Sequence, residues 1–305
     1  MSELLLSTNG LTKQYGHHKA VDKVNLHIKK GAIYGFIGRN GAGKTTCLKM
    51  ISGLARTTAG EIEMFGCKGK ELERIRSRVG CLIEAPGLYG NMNAYTNLKI
   101  KCELFGIRKK GYIEDILETV GLEGVGKKKT KHFSLGMKQR LGIGLALVGE
   151  PDLLVLDEPI NGLDPQGIAE VRDTIQRLRD ERNMTILISS HILEELSKIA
   201  TDYGIIHNGS LLQELTSEEL MKRCSERIEI ELIHPEQAVP ILDRMGFTNY
   251  QVTDKSHIHI FERLNESANV NMELAKAGIL VNGISITSEE LETYFLNLTG
   301  GNQNA

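Results

Sequence analysis

Residues 38–45 read Gly38-Arg39-Asn40-Gly41-Ala42-Gly43-Lys44-Thr45 and fit the pattern G-x-x-x-x-G-K-[ST] at every fixed position. No other stretch restricts the fold as much, because the pattern is chemically useful only between a buried strand and a helix. Both are present in the sequence. Ala32 to Ile37 is an apolar run, and a helix-like segment with Leu48, Ile51 and Leu54 follows the loop. The glycines let backbone N–H groups turn inward around phosphate oxygens, and the next helix adds its positive end. Lys44 reaches the outer phosphates of a nucleotide, and the Thr45 hydroxyl supplies an oxygen ligand for Mg²⁺. Residues 38–45 together with Thr46 are therefore the predicted nucleotide-phosphate site.

Two further apolar runs carry polar groups at their ends. Leu153 to Leu156 stops at Asp157-Glu158-Pro159, and Met184 to Ile188 leads into Ser189-Ser190-His191 after a helical stretch from Gly167 to Glu181. Short apolar runs alternating with helices predict buried parallel strands of an α/β sheet. Such sheets bind ligands at the carboxyl ends of their strands. Asp157 is thus placed to hold Mg²⁺ through water, and Glu158 to act on the attacking water as general base. His191 emerges on the same edge, where it can hydrogen-bond the terminal phosphate and help position water and Glu158. Between Pro86 and Gly149 the pattern is mostly helical, an insertion into the sheet spanning about residues 87–150. Asn208-Gly209, between Tyr203 to Ile206 and Leu211 to Leu212, predicts a hairpin.

The pattern changes after Thr216. Ile228, Ile230 and Leu232 alternate with Glu229 and Glu231, then a helix (Glu236 to Met245), strands at Thr248 to Val252 and His257 to Phe261, a helix (Glu266 to Ala277), a strand (Leu280 to Ile286) and a helix (Ser288 to Leu298) follow. The βαββαβ order predicts a ferredoxin-like module. Two domains are expected, residues 1–215 and 216–305, the second accessory or regulatory. A net charge of −2 supplies no field favouring nucleic acid or an anionic membrane. No apolar run reaches membrane-spanning length, and Met1 to Gly10 lacks the basic leader of a signal peptide. The five cysteines are scattered and form no C-x-x-C pair, which points to a reducing compartment.

Ser134-Leu135-Gly136-Met137-Lys138-Gln139-Arg140 resembles the LSGGQ signature of ATP-binding-cassette (ABC) proteins. The resemblance covers about residues 4–215 and includes Tyr15 and Asn161-Gly162-Leu163-Asp164. It implies a P-loop ATPase cassette that hydrolyses ATP with Mg²⁺. It also implies a head-to-tail homodimer, in which the helix capped by Ser134, with Gly136 in its first turn, faces the γ-phosphate held by the partner's loop. One chain carries one loop and one signature, so a second copy completes each site. Asp164 is expected on the seam. Tyr15 matches the aromatic that stacks on adenine, a contact of about 1–3 kcal/mol.

Glu84, in Cys81-Leu82-Ile83-Glu84-Ala85-Pro86-Gly87-Leu88-Tyr89, takes the place of the family's usual glutamine, which touches the metal and senses the membrane subunit. A carboxylate there is a charged, harder Mg²⁺ ligand. Glutamate followed by P-G-L-Y resembles the branch exporting bacitracin-like and lantibiotic peptides, and the C-terminal module, ending in Glu289-Glu290-Leu291-Glu292-Thr293-Tyr294-Phe295, resembles that branch and other drug-export cassettes. The chain is accordingly expected at the cytoplasmic face of the cell membrane, energising an integral membrane permease, with no nucleic-acid partner. The alternative is a soluble ABC ATPase acting on ribosomes or DNA. The single cassette, without a charged helical linker or coiled-coil insertion, disfavours it. A small-molecule kinase is disfavoured by the signature and the paired carboxylates. The Arg108-Lys109-Lys110 and Lys127-Lys128-Lys129 runs read as solvated faces. His257 and His259 share a strand face without a third or fourth metal ligand.

Overall fold

The computed structural model describes residues 3–288 and 291–299, so Met1, Glu289 and Glu290 of the segments singled out above lie outside the described residues. The chain divides into two compact units, one through Ser217 and one from Glu218.

In the first unit, the strands Ile33–Ile37, Leu153–Asp157 and Thr185–Ser190 are buried at every position. Continuous burial is what parallel strands covered on both faces require. They are neighbours in a six-stranded sheet ordered Ser210–Thr216, Asp202–His207, Ile33–Ile37, Thr185–Ser190, Leu153–Asp157, Val79–Leu82. All pairs are parallel except the first, whose hairpin closes through Asn208 (φ 46°) and Gly209 (φ 80°). Two successive positive φ angles match the right-handed twist of the flanking strands.

A second, antiparallel sheet precedes and flanks the first in sequence. Leu4–Tyr15 pairs with His18–Val24, His27–Lys29 and Ala59–Met64, and Cys67–Lys68 adds to the last. Leu6, Leu11, Val21, Ile28 and Met64 join the buried cluster containing Phe36, Leu48 and Ile51. Periodicity did not reveal this sheet. Its longest strand shifts register at Leu11/Lys13 and again at Lys13/Gln14, which breaks the period-2 alternation on which strand reading depends. The predicted insertion contains the helices Ala94–Leu104, Tyr112–Thr119 and Leu135–Leu147. Asn93 and Ser134 cap the first and third by accepting N–H bonds from Thr96 and Met137.

The second unit is a four-stranded antiparallel sheet with the order Tyr250–Val252, His257–Ile260, Arg227–Leu232, Val281–Thr287. With the helices Pro235–Arg244 and Ser267–Lys276 it has the expected ferredoxin-like βαββαβ arrangement. Ile228, Ile230, Ile258 and Ile260 pack on Ala238, Leu242, Val270 and Leu274. The alternate residues Arg227, Glu229, Glu231, His257 and His259 therefore belong to the opposite face. The helix Leu291–Leu298 follows.

Candidate functional site

Parallel register brings the polar strand ends to one edge. Ile37 pairs with Ser190, and Asp157 pairs with Ser189, so loop, serines and acids leave three adjacent strands together. Gly43 has φ 106°, and a Cβ there would lie 2.4 Å from the Ala20 carbonyl oxygen. Only glycine satisfies both the backbone angle and the space. The helix Lys44–Ile51 begins directly after Gly43 without a side-chain cap. Its first N–H groups thus stay available to an anion. Arg39, Asn40 and Gly41 are exposed on the loop, Gly38 and Ala42 are buried, and Thr46 is half-buried in the first helical turn.

Lys44 is 5% exposed, yet its charge is well partnered. Nζ donates to the carbonyls of Gly38 (2.5 Å) and Arg39 (3.3 Å), and lies 3.1 Å from Glu158 Oε1. That last approach is an ion contact without hydrogen-bond alignment. The Thr45 hydroxyl donates to Asp157 Oδ2 at 2.8 Å. Glu158 sits at φ 49°, a left-handed backbone that a non-glycine residue adopts only under local constraint. The turn sends its carboxylate away from the strand axis, where Oε2 meets His191 Nδ1 at 2.8 Å. Nδ1 carries the proton in this contact, because a carboxylate oxygen only accepts.

Ser189, to which sequence reasoning gave no role, contacts both acids. Its hydroxyl donates to Asp157 Oδ1 at 2.6 Å and accepts the Glu158 N–H at 3.0 Å, so one fully buried side chain orients both acids. A pair of serines, both buried, closing an apolar strand at the sheet edge was the available signal. Ser189→Ala leaves Asp157 Oδ1 without its donor inside the protein, at a cost of about 1–3 kcal/mol. We expect ATPase turnover to fall by about tenfold or more with Tm lowered by several degrees. A steady-state ATPase assay beside a thermal melt checks this, and unchanged turnover would remove Ser189 from the positioning role.

Lys44, Thr45, Asp157, Glu158 and His191 are thus brought together. Glu84 (φ 64°) directs its largely exposed carboxylate to Lys49 Nζ at 2.5 Å, a pairing that raises the lysine above its ordinary pKa. Among the described residues, no group of three histidine, cysteine or carboxylate side chains converges as a metal cluster. Tyr15 ends its strand half-exposed, with Lys13 Nζ 4.9 Å from the ring centroid. Ser134 is exposed and accepts from Met137 N at 3.2 Å. A Cβ on Gly136 would be 3.4 Å from the Gly167 Cα, placing the signature helix against the helix Pro165–Arg182. Asp164 caps that second helix, accepting Gly167 N at 3.0 Å, and is exposed.

A strand, glycine-rich loop and helix, with two acids and a histidine at the same sheet edge, define a nucleotide-hydrolysing P-loop cassette. The family described as ABC transporter matches residues 21–161. Bacitracin transport ATP-binding protein BcrA of Bacillus licheniformis is 44% identical over 299 residues, covering 97% of this chain and 98% of that protein. Lantibiotic transport ATP-binding protein SrtF of Streptococcus pyogenes is 44% identical over 211 residues, 69% of this chain and 90% of its own length. A solved ATP-binding subunit of an ABC transporter superposes with a TM-score of 0.63 at 29% identity, covering 72% of this chain and 92% of that one. The chain belongs to the ATP-binding proteins of ABC transporters, and it is an ATP-binding ATPase.

Proposed function

We propose that this chain is the energy-supplying subunit of an exporter of peptide antibiotics of the bacitracin or lantibiotic type, working on a separate membrane permease. The observation that carries this reading is the reach of the similarity to the bacitracin transport protein. It runs through the accessory unit as well as the cassette, over 97% of this chain. Among the described residues no helix is long and apolar enough to cross a membrane. The relatives' role as transport ATP-binding proteins supports a separate permease, with this chain at its cytoplasmic side.

The site chemistry follows from the contacts. Thr45 Oγ1 and Asp157 Oδ2, 2.8 Å apart, are hard oxygen donors beside the phosphate loop and fit Mg²⁺. When bound, the ion neutralises charge on the β- and γ-phosphate oxygens. Lys44 offers its ammonium to those phosphates. Glu158 takes a proton from the attacking water as general base, and His191 holds that carboxylate in place. Tyr15 presents its ring to adenine. Ser134 and Gly136 face the phosphates of a second copy, so two chains close over two ATPs with Asp164 at the seam.

A groove of about 370 Å³ adjoins Glu84 in sequence, running along Leu82, Ile83, Pro86, Tyr89, Leu104 and Phe105. Tyr89, Leu104 and Phe105 are 56%, 81% and 49% exposed, an apolar surface that suits a cytoplasmic helix of the permease. We therefore place Glu84 at the junction between permease and nucleotide. Glu84→Gln breaks an exposed pair with Lys49 worth no more than about 1 kcal/mol, so Tm hardly moves. ATP affinity stays within about threefold while permease-stimulated turnover drops by about tenfold. Unaltered stimulation and unaltered resistance in that variant would remove Glu84 from coupling.

The decisive experiment purifies the N-terminally tagged protein from gently solubilised membranes of its native cell and identifies what accompanies it. A stoichiometric polytopic protein, with loss of bacitracin or lantibiotic resistance when either gene is deleted, supports the reading. Ribosomal or DNA-associated proteins without a permease overturn it.

A further inference from the structure

The accessory unit carries a cavity of about 1010 Å³ on the sheet face opposite its isoleucine core, lined by residues from Glu219 to Tyr294. Its volume matches the upper end of small-molecule sites, about 300–1,000 Å³. Among the described residues, the cations Lys222, Arg223 and Arg227 line it together with the carboxylate Glu219. Register places Gln251, His259 and Glu229 side by side across the same face.

Arg227 is the centre of the argument. Its side chain is 14% exposed, and its Nε is buried without a hydrogen-bond partner. One terminal nitrogen donates to the Arg223 carbonyl at 3.2 Å, while the other lies 3.9 Å from Glu229 Oε2. Glu229 is shared, since the same oxygen accepts the Thr287 hydroxyl at 3.1 Å and lies 3.8 Å from His259 Nε2. The arginine is therefore only partly neutralised, and the terminal nitrogen 3.9 Å from Glu229 keeps donor capacity for an acceptor brought into the cavity. Burial and Arg227 together push His259 below its ordinary pKa, so the positive charge here belongs to the arginines and Lys222. Aromatic surface completes the cavity. Phe261 stands edge-on to His259 with centroids 6.2 Å apart, and Tyr250, whose hydroxyl is tied to Asp243 at 2.6 Å, adds its ring to the lining. Tyr294, bound through its hydroxyl to Arg223 at 2.6 Å, forms another wall.

We propose that this cavity binds an organic oxyanion, a carboxylate or phosphate ester carrying an aromatic or apolar body, with Arg227 and Lys222 holding the anion and Phe261 and Tyr250 the body. Planar, delocalised guanidinium groups suit both oxyanions, and the rings suit the remainder. Every lining residue belongs to the accessory unit, so the site is separate from the ATP loop and does not depend on the transporter reading.

The probe is anilinonaphthalene sulfonate, an aromatic oxyanion that fluoresces when bound, titrated into the full-length protein with MgATP saturating. One saturable site is expected, weakened about tenfold by Arg227→Gln and about threefold by Lys222→Gln. Basal ATPase and circular dichroism stay unchanged in both. Lys222 is exposed on its helix, so that variant keeps the test valid even if Arg227→Gln disturbs folding. Phenyl phosphate and phenylacetate displace the probe while benzyl alcohol does not. Stronger displacement by phenyl phosphate identifies a phosphoryl ligand, and by phenylacetate a carboxylate such as a peptide end. Either supports the site. Absence of saturable binding, equal affinity in wild type and both variants, or equal displacement by benzyl alcohol overturns it.

Discussion

Glu158→Gln lowers the rate of ATP hydrolysis by about 10²–10⁴-fold, the range that positioned general bases contribute. The substitution preserves shape almost completely. The amide oxygen still reaches His191 Nδ1, now 2.8 Å from Glu158 Oε2, and the left-handed backbone at φ 49° is untouched. Only basicity and negative charge are lost. Lys44 loses the neighbour 3.1 Å away but keeps the Gly38 and Arg39 carbonyls. ATP binding therefore survives, and a variant that binds without turning over accumulates as the ATP-bound dimer. Single-turnover hydrolysis together with size-exclusion chromatography in MgATP checks both halves. Near-normal turnover would take Glu158 out of the general-base role, and a monomer under saturating ATP would contradict the shared-site geometry.

Lys44→Ala acts earlier, at binding. A buried ammonium beside the loop is a charge-assisted donor for phosphate oxygens, and removing it weakens ATP by about 100-fold or more. The clearest readout is thermal. Wild-type protein at 100 times its Kd for ATP gains about 2.7 kcal/mol of stability, and in the variant that shift disappears. The melt without nucleotide also falls, because the Gly38 carbonyl and Glu158 Oε1 are buried and lose their cationic partner. A retained ATP-dependent shift would mean that the loop N–H groups alone hold the nucleotide. Against these two effects, those at Ser189 and Glu84 are smaller, because each acts through another residue.

Much of the first unit was legible without coordinates. Strands covered on both faces leave an unbroken apolar run, so Ile33–Ile37, Leu153–Asp157 and Thr185–Ser190 were visible to within two residues at each end. The accessory module was legible for the opposite reason. One face of its sheet is buried and the other wet, and Ile228, Ile230, Ile258 and Ile260 print that alternation directly into the sequence. The antiparallel sheet from Leu4 to Lys68 escaped, since its register shifts scramble the alternation and its short strands resemble loops.

Within the site, the offered chemistry was readable from the chain alone. Loop, acids and histidine follow from residue types at fixed spacing, because backbone N–H groups, a lysine and hard oxygens suit phosphate whatever surrounds them. Which side chains touch was settled by folding. The contacts of Ser189 with Asp157 and Glu158 span more than thirty positions and arise from parallel register between neighbouring strands, which no local pattern encodes. The pairing of Glu84 with Lys49 is likewise a product of packing. The Arg227 guanidinium acquired its half-satisfied surroundings only when three neighbouring strands set Glu229, His259 and Thr287 around it. Local sequence specifies which groups are offered, while long-range pairing, settled by burial of the core, specifies their partners.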